Sequence, residues 1–185
     1  MLLDFDIRKA IAASSFILQR QGGRDSMFFL VKKLYYADRT ALICWGNSIT
    51  GDELSSLPSG PIVSHIYDLM KGSGSALNLK LWDAAIKREG NTISLKSGSL
   101  EGPLSEREKE VLEKSRETIN NIRGIKVSTW FHDNCPEWTD PGHSSSPIDP
   151  SQILRIAHKT EEEIRKLEHA NEELRLLNCL LGSAH

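Results

Sequence analysis

Apolar positions recur at helical spacing through the N-terminal part of the chain. Ile7, Ile11, Ser14 and Leu18 share one face, widened by Phe16 and Ile17, with Asp4 or Asp6 as cap and Gly22-Gly23 as stop. Ser26 caps a second helix, in which Phe28, Val31, Leu34 and Tyr35 form a stripe continued by Asp38 and Leu42. Lys32, Lys33 and Arg39 fall largely outside that stripe, on what reads as a solvated face. Trp45-Gly46-Asn47 ends the helix, because Gly and Asn accept the left-handed backbone of a helix exit. Ile49-Thr50-Gly51-Asp52 reads as a turn, and Leu54 and Leu57 tack the next stretch to the core. Gly60-Pro61 opens a third helix, with Pro61 in its first turn and Ile62, Ile66, Leu69 and Met70 facing inward. Gly72-Ser73-Gly74-Ser75 reads as a mobile loop by composition.

From Leu81 the pattern alternates, placing Trp82 and Ile86 on one face of a strand from Leu81 to Arg88. Glu89-Gly90-Asn91 turns the chain into a second strand from Thr92 to Lys96, giving a short hairpin that needs helices to pack on. Ser105 and Glu108 form a capping box, and Val111, Leu112, Ser115, Ile119 and Ile122 carry the helix that follows to Gly124. Val127 to His132 suits one or two helical turns. Beyond it Pro136, Pro141, Pro147 and Pro150 argue against regular structure, and Trp130 and Trp138 read as aromatics pinning a loop. From Asp149, with Pro150 at its first position, the pattern predicts one unbroken helix to Leu181. Ile153, Ala157, Thr160, Ile164, Leu167, Asn171, Leu174, Asn178 and Leu181 follow heptad spacing. Such a helix is either a coiled-coil or partner-binding segment, or an amphipathic helix whose first half packs on its own domain. The expected fold is mainly α (α+β): a compact helical domain over 1–148 with a small β-hairpin, and a long C-terminal helix over 149–185.

Composition narrows the function classes. Lys+Arg number 23 against 25 Asp+Glu, a net charge of -2, so no overall basic field favours nucleic acid or an anionic membrane. No apolar run is long enough to span a bilayer, and the first residues lack the pattern of a signal peptide. The three cysteines, Cys44, Cys135 and Cys179, are odd in number and widely spaced, which suits reduced thiols in a cytoplasmic protein.

Two chemical constellations merit weighing. Cys135 with His132 or His143 and Asp133 or Asp140 has the residue types of a thiol nucleophile, base and orienter. Yet Cys135 directly precedes proline, and no helix N-terminus is in view to lower its pKa. The same Cys135 with His132 and His143 offers three loosely spaced zinc ligands without an obvious fourth. Lys32, Lys33 and Arg39 as phosphate contacts lose to the solvated-face reading, and Gly72–Ser75 lacks the lysine of a P-loop.

Lys33-Leu34-Tyr35-Tyr36-Ala37-Asp38, Gly46-Asn47-Ser48-Ile49-Thr50-Gly51-Asp52 and Gly60-Pro61-Ile62-Val63-Ser64-His65-Ile66-Tyr67 together resemble the Panacea domain of the SocA-like antitoxin family, also met as phage-associated proteins. Leu104 to Glu108 resembles the start of that family's next helix, and Trp130-Phe131-His132 with Pro136-Glu137-Trp138 resembles its later histidine–tryptophan segment. The likeness runs with gaps from Asp6 to Ile156, and the Gly60-Pro61 junction is its most distinctive part. The chain departs from the pattern at Pro58, where members often carry tyrosine or tryptophan, and in its heptad tail.

The resemblance implies an antitoxin that neutralises a toxin encoded beside it by direct binding, without catalysis, cofactor or metal. At least one such protein also delivers its toxin to a protease as an adaptor. Partner-binding candidates are Tyr36, Trp45 and Trp138, with Ile164, Leu167, Leu174 and Leu181 on the last helix. Lys33, Tyr35, Asp38, Gly46, Gly51, Asp52, Gly60, Pro61 and His132 match the polar and turn positions of the family pattern and are expected to be structural. Asp38, as a buried carboxylate in need of partners, is expected to bond the Gly60-Pro61 turn or His132. Expected partners are a cognate toxin, a client protease, or a second copy held through the C-terminal helix; neither membrane nor nucleic acid is among them. The alternative class is a self-associating scaffold built on those heptads.

Overall fold

The computed structural model describes residues 3–96, 102–122 and 126–182, with side chains described as far as Leu177. Helix α1 (Ile7–Arg20) starts at Asp6, whose carboxylate accepts from the Arg8 and Lys9 amides. Helix α2 (Met27–Trp45) is the axis of the molecule. It packs on α1, on α5 (Glu106–Asn121), on strand β3 (Gly60–Val63) and on α7 (Pro150–Ile156). A helix surrounded in this way keeps little solvated face along its middle, so Lys32 and Lys33 are buried beside Leu34 and Tyr35 rather than exposed. That corrects the solvated-face expectation for both lysines.

Two three-stranded antiparallel sheets flank α2. One runs in the order β1 (Arg24–Ser26), β5 (Thr92–Leu95), β4 (Ile86–Glu89); the other is β3, β2 (Leu54–Leu57), β6 (Ser146–Ile148). The expected hairpin exists, with its turn at Gly90-Asn91, but its first strand is shorter than expected. Ala76–Ala85 is helix α4, capped by Ser75, and only Ile86–Glu89 is strand. Trp82 and Ile86 are both buried, and a spacing of four residues suits one helical turn as well as two strand repeats. Gly60-Pro61 does not open a helix. It lies in β3, an edge strand where the missing proline N–H leaves no ladder bond unmade, and α3 spans Ser64–Met70. The proline-rich stretch likewise contains an edge strand, β6, which pairs Leu54 with Ile148.

Helix α5 carries the capping box at Ser105 and Glu108, then ends at Asn121; the rest of its expected course to Gly124 lies outside the described residues. Helix α6 (Lys126–Asn134) covers the Val127–His132 segment. The C-terminal helix is two helices. Helix α7 ends at Ile156, His158 takes the left-handed backbone at φ 62, and α8 runs over Glu161–Gly182. Thr160 restarts the helix: its hydroxyl accepts from the Glu163 amide at 3.2 Å, and the Glu163 carboxylate accepts from the Thr160 amide at 2.7 Å. Ile148, Ile153, Leu154 and Ile164 join the same core as α2. The molecule is mainly helical with small antiparallel sheets. No helix among the described residues is long and apolar enough to cross a membrane.

Candidate partner-binding site

The polar positions of the Gly46–Asp52 segment form a loop fastened to α2 and α3. Gly46 leaves α2 with φ 80, and its amide donates to the Leu42 carbonyl. Asp38 is buried and does not reach Gly60-Pro61 or His132. Its carboxylate instead accepts from the Ile49 amide at 2.9 Å, the Thr50 amide at 3.1 Å and the Thr50 hydroxyl. The need for partners is met from the local backbone. Burial still pushes the Asp38 carboxyl up to about 7 against those bonds. Asp52 caps α3 from a distance, accepting from the His65 amide at 2.8 Å and the Ile66 amide at 2.9 Å. It also meets His65 Nδ1 at 3.0 Å, a bond that raises the His65 pKa.

A second polar group lies where α2 meets α6 and the loop after it. Glu137 is fully buried and accepts from Tyr35 Oη at 2.5 Å and from Arg39 Nε at 2.5 Å, with Arg39 Nη2 at 3.2 Å. Burial, then the Glu137 charge, raises the Tyr35 phenol well above its usual value. For Arg39, burial opposes the charge, but the Glu137 bond outweighs it and holds the guanidinium pKa above normal. Lys33 pairs with Asp25 at 2.7 Å, and Lys32 Nζ donates to the Pro61 carbonyl at 2.8 Å. It is Lys32, not Asp38, that holds the Gly60-Pro61 strand to α2. Sequence reasoning missed Glu137 and Lys32 as fixed points, although Glu137 sits inside the quoted Pro136-Glu137-Trp138 segment.

The thiol constellation is not assembled. Cys135 is buried beside Glu137, and burial together with that charge pushes its thiol up to about 12, far from a nucleophile at neutral pH. The His132 ring stacks on Trp138 at 3.6 Å, and no hydrogen bond joins it to Cys135 among the described residues. No three metal-ligating side chains converge among the described residues.

The partner-binding candidates fall into two groups. Tyr36 packs edge-on against Trp130 at 5.4 Å, and Trp138 stacks on His132 while its Nε1 donates to the Leu57 carbonyl at 2.9 Å. Trp45 lies at the far end of α2, covered by the Arg107 guanidinium at 4.1 Å. There α8 crosses the chain. Ile164 is buried, Leu167 rests on Gly46, and Asn171 Nδ2 donates to the Gly46 carbonyl at 3.3 Å. Past Asn171 the helix exposes its leucines: Leu174 is 52% exposed, Leu176 53% and Leu177 53%. The Leu181 side chain lies outside those described.

A family model described as "Antitoxin SocA-like, Panacea domain" matches residues 30–139, more than half of the chain, from within α2 through the Glu137 loop. No curated protein and no solved structure matches the chain.

Proposed function

The chain belongs to the SocA-like antitoxin family with a Panacea domain, and we propose on that premise that it neutralises a toxin encoded beside it by direct protein–protein binding in the cytoplasm. Membership of the family carries the class of function, and α8 suggests the means. The exposed leucines Leu174, Leu176 and Leu177 suit a helix that offers apolar side chains to a partner. Trp45, next to the Gly46 on which Leu167 rests, borders the same end of α2. Tyr36 lies about nine residues or 13 Å along the helix axis from Trp45, and it and Trp138, in the loop after α6, are further candidate contacts. An adaptor role toward a protease needs no further chemistry, since the toxin only has to be held on a rigid body.

A self-associating scaffold is the second reading, and the heptads favour it. Ile164 and Leu167, however, are already engaged with their own core, so only the stretch from Leu174 onward is left for pairing.

The test is expression of the adjacent reading frame with and without this protein, followed by co-purification. Growth arrest relieved by this protein, with a complex surviving size exclusion, supports the antitoxin reading. A harmless neighbour with nothing co-purifying overturns it. A stable homo-oligomer dispersed by polar replacement of the α8 leucines moves the assignment to the scaffold.

A further inference from the structure

Among the described residues, the exposed large apolar side chains are confined to two helices, α4 and α8. Helix α4 buries Trp82 and Ala85 and turns Leu77, Lys80, Leu81 and Ala84 outward. Leu77 is 66% exposed and Leu81 37%. On α8 the exposed positions include Ala170, Glu173, Leu174 and Leu177. Both sets fall three, four and seven residues from their first member, so each forms one stripe along its helix. The order of side chains is opposite: leucine, lysine, leucine, alanine on α4, and alanine, glutamate, leucine, leucine on α8.

Helix geometry makes these stripes complementary when the helices lie antiparallel. With Leu77 set level with Leu177, Ala84 comes level with Ala170, and the two alanines let the axes approach at that end. A rotation of 100° per residue then puts Leu81 and Leu174 on one side of the contact line, and Lys80 and Glu173 on the other. Each of those two pairs differs in height by one residue rise, about 1.5 Å. Charge agrees with this pairing. Glutamates outnumber Lys+Arg by six to three along α8, whereas Lys+Arg outnumber Asp+Glu by four to two from Ala76 to Lys96. Lys96 donates to the Asp83 carbonyl, which adds a cation at the C-terminal end of α4. Lys80 makes no ion pair among the described residues, and Glu173 meets only the exposed His169 of its own helix, at 3.5 Å.

We propose that the outer face of α4 is a docking surface for α8 of a second copy of this chain, antiparallel, with leucines packed together and Lys80 paired to Glu173. The contact joins unlike faces, so a copy whose α8 is engaged still offers its α4. Four residues a side make a small interface. Association is expected at about 10–500 µM, weaker than the permanent oligomer of a scaffold. The inference rests on the exposure of α8 and not on the antitoxin reading; a toxin seated on the α8 leucines would displace the second copy.

The experiment is sedimentation equilibrium of the full chain from about 10 µM to 1 mM. A mass rising with concentration above that of one chain is expected. One variant carries Leu77→Gln and Leu81→Gln, the other Leu174→Gln and Leu177→Gln, and each alone should associate at least about tenfold more weakly. Mixed, they should form a one-to-one complex, because one supplies an intact α8 and the other an intact α4. Lys80→Glu and Glu173→Lys should each weaken association, and the chain carrying both should regain it. All the replaced side chains are exposed, and thermal melting checks that each variant stays folded. A single-chain mass throughout the range overturns the proposal. So does unchanged self-association of the α4 variant, which would set α8 against another surface, or a mixture that associates no better than its parts. None of these outcomes bears on relief of growth arrest, so this inference and the antitoxin reading fail separately.

Discussion

Tyr35 Oη donates to Glu137 Oε1 across 102 residues of chain, and the same oxygen accepts from Arg39 one helical turn on. A single carboxylate thus balances one part-buried cation and one buried hydroxyl. Glu137→Ala leaves both without a partner and is expected to destabilise the fold by about 3–5 kcal/mol. Tyr35→Phe removes only one bond to a charged group and should cost about 1.5–3 kcal/mol. Urea midpoints at constant m-value check the order. Equal losses would mean that Arg39 escapes to solvent in the alanine variant.

The pH dependence has a defined sign. The Asp38 carboxyl sits at about 7 in the folded chain, above its usual 3.8, so the native state holds a proton that the unfolded state gives up. Stability from this group is complete below the unfolded pKa and falls as pH rises through 7, with a slope of up to about 1.4 kcal/mol per pH unit between the two values. His65, raised by Asp52, contributes with the same sign. Asp38→Asn keeps an acceptor for the Ile49 and Thr50 amides and is expected to flatten the slope between the two Asp38 pKa values, leaving the His65 part. An unchanged slope in denaturation series across that range would exclude Asp38 as its source.

Lys32 acts at the alkaline side. Its folded pKa of about 7 lies below its usual 10.5, so the unfolded chain holds the proton more tightly and stability should rise with pH between those values. Lys32→Met is expected to remove its share of that rise, leaving the part from Lys33, whose pKa burial also lowers. Chemical denaturation of the two proteins at neutral and alkaline pH gives the comparison.

Gly51 and Gly46 both take positive φ, at 67 and 80, but what surrounds them differs. A Cβ on Gly51 would overlap the Asp4 carbonyl, which is backbone, whereas a Cβ on Gly46 would overlap the end of the Leu167 side chain. Gly51→Ala should therefore be the more damaging. Gly46→Ala should loosen α8, read as faster amide hydrogen exchange over Ile164–Asn171 with the core of α2 still protected.

Replacing Leu174, Leu176 and Leu177 together by glutamine should change stability by no more than about 0.5 kcal/mol each, since all three are exposed. The same variant is expected to weaken a toxin complex by at least about tenfold. Thermal melting and binding, measured side by side, separate the two effects. A variant that melts early but binds normally would place the partner elsewhere.

Much of the fold was legible in the sequence because local signals and packing agreed. Asp6, Ser26 and the Ser105–Glu108 box cap helices where expected. The misreadings arise where one pattern serves two structures. Trp82 and Ile86 suit a strand face and a helix face alike, and the heptad runs through Ala157 and Thr160 although the chain breaks there. The Thr160–Glu163 capping box was the available signal for that break. Lys32 and Lys33 were placed outward because periodicity describes one helix face, whereas burial depends on how many neighbours surround the helix. For Asp38 the need of partners was legible, but not which backbone groups would supply them.

The long spans between contacting segments carry a consequence for synthesis. Leu54 waits for Ile148, Tyr35 for Glu137, and α2 stays partly uncovered until Ile153, Leu154 and Ile164 arrive. A chain emerging from the ribosome therefore cannot complete its centre until Ile164 has been made. Messages cut short before Ile164 should yield products with α2 partly uncovered and open to degradation. The supply of folded molecules thus follows uninterrupted translation from Tyr35 through Ile164.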